Sequence, residues 1–298
     1  MFTGVYTALI TPFTESGKID FSSLEKLLQA QLAAGVNGFV FLGTTGEAAT
    51  LTCQEKQDVL SFCTQYVRGK AKIIIGTGTN NTQTMLENTR QAAAFNPDGV
   101  LIVTPYYNKP NPSGLIAHYK QASKIGLPIV LYHIPGRTGL KLSNDVLARL
   151  LASVPTIKAV KESDYDMAHV TDTAVAHNGR IDYICGNDDL FPQYLAINAT
   201  GIISAAANIF APAFVKIYNL FKAGKPAEAF TLFSQVYPLI KACYWETNPT
   251  CVKYMLSVLG FCAQTPRLPL GEISEEHKTQ IDALLKTADK SLYIKGTL

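Results

Sequence analysis

The stretch KIIIGTGTNNTQTMLENTRQAAAFNPDGVLIV, residues 72–103, holds one complete unit of the repeat that decides the fold. Lys72 to Ile75 is a short apolar, β-rich run, Thr82 to Ala94 spaces its apolar residues at the helical period, and Gly99 to Val103 is a second β-rich run. A strand, a crossover helix and a second strand lie parallel and right-handed. The same alternation extends in both directions. Upstream stand the strand-like runs Gly4 to Ile10 and Gly38 to Leu42, with amphipathic Phe21 to Ala34 and Gln54 to Val67. Downstream come Ile129 to Tyr132, Ile157 to Lys161, Tyr183 to Cys185 and Gly201 to Ser204, and between the runs lie stretches such as Pro112 to Lys124 and Ser143 to Ala152. Asp20 and Ser143 suit N-caps, and Gly35 and Gly126 suit C-terminal stops.

About eight β-α units in roughly 220 residues favour an α/β chain closed into a (β/α)8 TIM barrel over an open doubly wound sheet. The Rossmann or flavodoxin-like alternative lacks its signature, because the first β-α connection, Thr11 to Asp20, has no G-x-G-x-x-G. After Lys222 no strand pattern returns. The segments 223–245 and Pro249 to Leu292 read as helical. The expected division is therefore a catalytic barrel domain over 1–224 and a C-terminal helical domain over 225–298.

Composition narrows the function. The chain has 298 residues, 47% hydrophobic and 16% charged, with 26 Lys plus Arg against 23 Asp plus Glu. A net charge of +3 without a basic run interleaved with aromatics argues against nucleic acid as a partner. The N-terminal MFTGVYTALITPF reads as a first strand, since no basic region precedes it. The longest apolar region, Ile202 to Phe221, is broken by Asn208, Pro212 and Lys216 and makes a poor membrane span. A cytoplasmic location is the expectation. Six cysteines show no C-x-x-C pair, and five scattered histidines show no i, i+4 placement, so no protein-bound metal is expected.

In such a barrel the loops after the strands build the site. Lys161 ends IKAVK, and period-two alternation puts Ile157, Ala159 and Lys161 on one face, with Lys158 and Val160 on the other. An amine inside a poorly solvated pocket can attack a ketone; the competing possibility is a lysine reaching solvent or paired with Glu162. Gly43-Thr44-Thr45-Gly46-Glu47 offers hydroxyls and backbone N–H groups suited to a carboxylate, with Glu47 in a structural hydrogen-bonding role. Tyr107 follows the fourth strand and Tyr132 ends the fifth. Either phenol can relay a proton if its hydroxyl is tied to a neighbour such as Thr44, although packing is the commoner use of such a residue. Arg137, in PGRTG, can clamp a carboxylate or make a surface salt bridge. His133 should point away from the site and serve structure.

In order along the chain, GTTGEAATLT, TPYYNKP, YHIPGRTG, IKAVKES and ISAAANIF resemble the dihydrodipicolinate synthase and N-acetylneuraminate lyase superfamily. PGRTG after Tyr132, with the late NPTCVKYMLSVLG and PRLPL, is similar to the synthase branch. The resemblance implies a lyase that condenses pyruvate with L-aspartate-4-semialdehyde to 4-hydroxy-tetrahydrodipicolinate, in the diaminopimelate route to lysine. It makes Lys161 the Schiff-base lysine and Thr44, Tyr107 and Tyr132 a proton relay, with Tyr107 offered across a subunit interface. Thr45 would hold the pyruvate carboxylate and Arg137 that of the semialdehyde, while Gly186 and Ile203 would line the pocket. No external cofactor is implied, and a homotetramer built as a dimer of dimers is. Feedback-sensitive members bind lysine with a histidine and a glutamate that here match Lys56 and Thr84, although Tyr106 and Asn80 are kept. Weak lysine inhibition is expected. The alternatives are an N-acetylneuraminate or keto-deoxy sugar acid aldolase of the same superfamily, which the PGRTG arginine disfavours, and a non-catalytic keto-acid-binding barrel, which the joint retention of Lys161, Tyr107 and Tyr132 disfavours.

Overall fold

A computed structural model describes residues 1–295. The elements run β1 (Gly4–Ala8), α1 (Phe21–Ala33), β2 (Gly38–Phe41), α2 (Cys53–Val67), β3 (Lys72–Gly76), α3 (Thr82–Ala93), β4 (Gly99–Val103), α4 (Pro112–Ser123), β5 (Ile129–His133) and α5 (Pro135–Thr138). They continue with α6 (Asn144–Ser153), β6 (Ile157–Glu162), α7 (Met167–Ala176), β7 (Asp182–Cys185), α8 (Phe191–Ala196), β8 (Gly201–Ser204), α9 (Ala207–Lys222), α10 (Pro226–Ala242), α11 (Thr250–Val258) and α12 (Glu275–Thr287). The eight strands close into a barrel in sequence order, as the β-α alternation required. The described residues fall into two compact units: Met1–Thr3 with Ile73–Ile203, and Gly4–Lys72 with 204–295.

The first unit carries β3 to β7 and most of β8. Val100, Ile102, Val130, Leu131 and Val160 are fully buried in its parallel ladders. A register shift at Ile129 and Val130 of β5 passes over Lys158 of β6, which stays exposed while the rest of that strand is buried. Beyond the shift Tyr132 lies opposite Lys161 and His133 opposite Glu162. Since side chains alternate across a strand, each pair shares a face.

In the second unit α1 begins at Asp20, whose carboxylate accepts from Ser23 N at 3.0 Å. It is fastened by buried Gln31, which accepts from Thr7 Oγ1 at 2.7 Å and donates to the carbonyls of Ala207 and Asn208 at 2.8 Å. Helix α2 starts in a capping box of Thr52 and Glu55. The chain past Pro249 is less continuous than its helical pattern suggests. Residues 259–274 separate α11 from α12, where Gly260 takes a φ of +78° and Pro266 and Pro269 cannot continue a helix. Among the described residues no helix is long and apolar enough to cross a membrane.

Candidate active site

Lys161 stands near the C-terminal end of β6 and is 6% exposed, with Nζ 4.2 Å from the centroid of the Tyr132 ring. The sheet register opposite β5 places amine and phenol together, so the two strand-end residues singled out from the sequence meet. Gly186, just past β7, packs against the same lysine. A Cβ there would collide with Ser163 Oγ and lie 3.1 Å from Lys161 Cε, and Gly186 N donates to the Glu162 carbonyl at 2.7 Å. Only a residue without a side chain lets β7 come this close to β6. Ile203, 1% exposed, is in β8.

The salt bridge between Lys161 and Glu162 is not formed, because Glu162 points to the opposite face. Its carboxylate accepts from His133 Nδ1 at 2.8 and 2.9 Å and from Asp164 N at 2.8 Å. His133 Nε2 accepts from Leu142 N at 3.0 Å, which fixes the proton on Nδ1. His133 thereby ties the segment after PGRTG to the strand that carries Lys161. Lys141 adds an outer tie through Asp166 at 2.9 Å and Asp164 at 3.1 Å. These contacts hold Asp164 and Asp166 below the usual carboxylate range, burial opposing the shift at Asp164 most strongly. Arg137 sits exposed within the segment so anchored, in short helix α5, closed by Gly139 at φ +66°. Tyr107 is 90% exposed at a φ of +69°, a left-handed conformation unusual for an aromatic residue.

In the second unit the Gly43–Glu47 turn is braced from the C-terminal part of the chain. Thr44 is exposed, whereas buried Thr45 accepts from Asn248 Nδ2 at 2.9 Å. Glu47 takes a left-handed φ of +51° and is buried in an ion pair with Lys253 Nζ at 2.5 Å; it also accepts from Arg267 N at 2.8 Å. Glu47 therefore serves structure, the role read from its position. Lys253 is fully buried, 4.0 Å from the Phe13 ring centroid, and burial pulls its ammonium below the usual range against the attraction of Glu47. Arg267 also reaches the Glu55 carboxylate, holding it down at about 2. Asn248, Lys253 and Arg267 were not singled out from the sequence as individual residues. Their only signal was the branch-like text NPTCVKYMLSVLG and PRLPL.

Among the described residues, one group could hold a metal on distance alone. The ligand atoms of His133, Glu162 and His169 lie within 4.8 Å of one another. Both His133 nitrogens are already engaged, so coordination would break a bond to Leu142 or to Glu162. The hydrogen bonds to Glu162 and Leu142 leave His133 no free nitrogen for a metal.

The closed parallel barrel thus brings a buried amine and an aromatic ring together at adjacent strand ends, where barrels of this kind carry their sites. The chain matches the profile of the Dihydrodipicolinate synthetase family over residues 1–288. It is 41% identical over 289 residues to the 4-hydroxy-tetrahydrodipicolinate synthase of Endomicrobium trichonymphae, covering 96% of this chain and 98% of that one. A solved dihydrodipicolinate synthase from Thermotoga maritima superposes with a TM-score of 0.93 at 36% identity, covering 96% and 98%. A chloride-inhibited synthase from Acinetobacter baumannii, complexed with pyruvate, superposes with a TM-score of 0.93 at 35% identity and the same coverage. The chain belongs to the dihydrodipicolinate synthetase family.

Proposed function

We propose that this chain is a lyase condensing pyruvate with L-aspartate-4-semialdehyde to 4-hydroxy-tetrahydrodipicolinate, in the diaminopimelate route to lysine. The observation that carries this reading is the buried Lys161 amine held against Tyr132 in a chain of this family. Lys161 Nζ attacks the pyruvate keto carbon, and loss of water leaves a protonated imine. That cation is an electron sink, so the methyl group gives up a proton and the enamine carbon attacks the aldehyde.

Thr44, Tyr107 and Tyr132 relay protons in this scheme, Thr45 holds the pyruvate carboxylate, Arg137 the semialdehyde carboxylate, and Gly186 and Ile203 line the pocket. Fixing both carboxylates turns a bimolecular encounter into a positioned one, for which effective molarities of roughly 10⁵ to 10⁸ M are attainable. The exposure of Tyr107 suits a side chain that completes a neighbouring subunit's site, in a homotetramer assembled as a dimer of dimers. The same reading keeps a barrel domain over 1–224 and a helical domain over 225–298, no external cofactor and a cytoplasmic location.

Borohydride treatment in the presence of pyruvate, followed by peptide mapping, tests the central step. A pyruvate-derived adduct on Lys161 is the expected result; a folded chain without that adduct would refute the imine.

A further inference from the structure

Ser163 is 5% exposed, and its Oγ has no hydrogen-bond partner among the described residues. Its backbone N–H is accounted for, since Ser163 N donates to the His133 carbonyl at 2.9 Å. The hydroxyl is therefore the unexplained part. Leaving such a group unpaired is unfavourable, and natural chains seldom do so without a reason.

The place of this hydroxyl supplies a reason. Two residues past Lys161, Ser163 returns to the same face as the lysine, and both crowd the point where a Gly186 side chain would begin: Ser163 Oγ in collision, Lys161 Cε at 3.1 Å. Glycine at 186 thus keeps open the space that amine and hydroxyl share. Glu162, on the opposite face, is turned toward His133 and Asp164 N and away from Ser163. What remains beside a buried, unpaired hydroxyl and a buried amine is whatever binds to the amine.

We propose that Ser163 contacts the substrate, donating a hydrogen bond to the keto oxygen of the 2-oxo acid as Lys161 adds to it. This rests on the imine reading. As the bond from Nζ to the keto carbon forms, the C=O π pair moves onto oxygen, and one proton shed by nitrogen makes that oxygen the carbinolamine hydroxyl; a second proton, delivered through the phenol relay, lets it depart as water while the nitrogen lone pair forms the C=N bond of the protonated imine. Negative charge develops on an oxygen beside the amine, on the side of the Gly186 gap that Ser163 Oγ also borders, and a hydroxyl donor at such a place stabilises the transition state.

The test compares the full chain with its Ser163→Ala and Ser163→Cys variants, using pyruvate as probe. Adduct formation on Lys161 is followed by borohydride quenching at sub-saturating pyruvate, and each melting temperature is recorded. Ser163→Ala should slow adduct formation about five- to tenfold, the loss of one hydrogen bond. Its melting temperature should equal or exceed that of the parent, since no partner is lost. Ser163→Cys, a weaker donor of similar shape, should fall between. Adduct formation in Ser163→Ala at the parent rate overturns the proposal while leaving the imine intact; so does a loss of rate accompanied by a lowered melting temperature, which assigns the hydroxyl to packing. Absence of an adduct in the parent chain overturns the imine reading, and this proposal with it.

Discussion

At the scale of single residues, the site divides by what each group must touch. Lys161 and Tyr132 need each other and are placed by register, whereas Arg137 stands in the open on a segment anchored by His133 and Lys141. An exposed guanidinium held by an anchored turn suits capture of a carboxylate from solvent. Arg137→Ala should raise the KM for the semialdehyde on the order of ten- to a hundredfold, while the rate of pyruvate trapping on Lys161 hardly changes. Steady-state kinetics with both substrates varied would check this; equal losses for both would contradict the assigned role. Lys161, Tyr132 and Arg137 were legible in the sequence because each ends or follows a strand whose period can be counted. Asn248 was not, because its partner Thr45 is 203 positions away and no local pattern encodes that contact.

At the scale of elements, the turn after β2 depends on a buried charge pair. Lys253 on α11 is enclosed with Glu47, and removing one ion leaves the other unpaired in a medium that solvates it poorly. Lys253→Met should cost about 3 to 5 kcal/mol in urea unfolding. Adding Glu47→Gln to it should recover part of that loss, so a double variant less stable than Lys253→Met would show that the charge is not the cause. Helix α11 was legible as helical text; that one of its lysines points inward to an acid was not. A lysine within an amphipathic pattern ordinarily reaches solvent, and only packing against Phe13 and Thr265 shows that this one cannot.

At the scale of the whole molecule, acid acts through groups whose protons the fold disfavours. Burial lowers His118 from 6.5 to about 4, and the Arg267 contact takes Glu55 from 4.5 to about 2. A group with a depressed pKa in the folded state favours unfolding as acid is added, because the unfolded chain takes up the proton first. Stability should therefore begin to fall as pH drops below 6.5 toward 4 through His118, and fall further between 4.5 and 2 through Glu55. Urea midpoints across that range should show both phases, with His118→Asn flattening the upper and Glu55→Gln the lower. Lysine should inhibit weakly. Lys56 brings a cation where feedback-sensitive members carry a histidine, and Thr84, in the place of the glutamate that takes the ligand's amine, is an exposed neutral residue whose backbone N–H is taken by Asn81. Half-inhibition at sub-millimolar lysine would disprove this.

The sequence by itself determined the barrel, because eight repeats of strand and helix leave few other ways to bury both faces of a parallel sheet. It also determined the strand-end candidates, since alternation fixes which face a residue takes. The tertiary structure decided what those candidates meet. Which residue lies opposite Lys161 depends on a register shift at Ile129 and Val130, which leaves no mark in local periodicity. That Glu162 turns to His133, that Glu47 is neutralised by Lys253, and that the Ser163 hydroxyl beside Gly186 finds no partner among the described residues are outcomes of packing between segments far apart in the chain. Periodicity reports how each residue relates to its neighbours in sequence, and the chemistry of this site lies in contacts between strands.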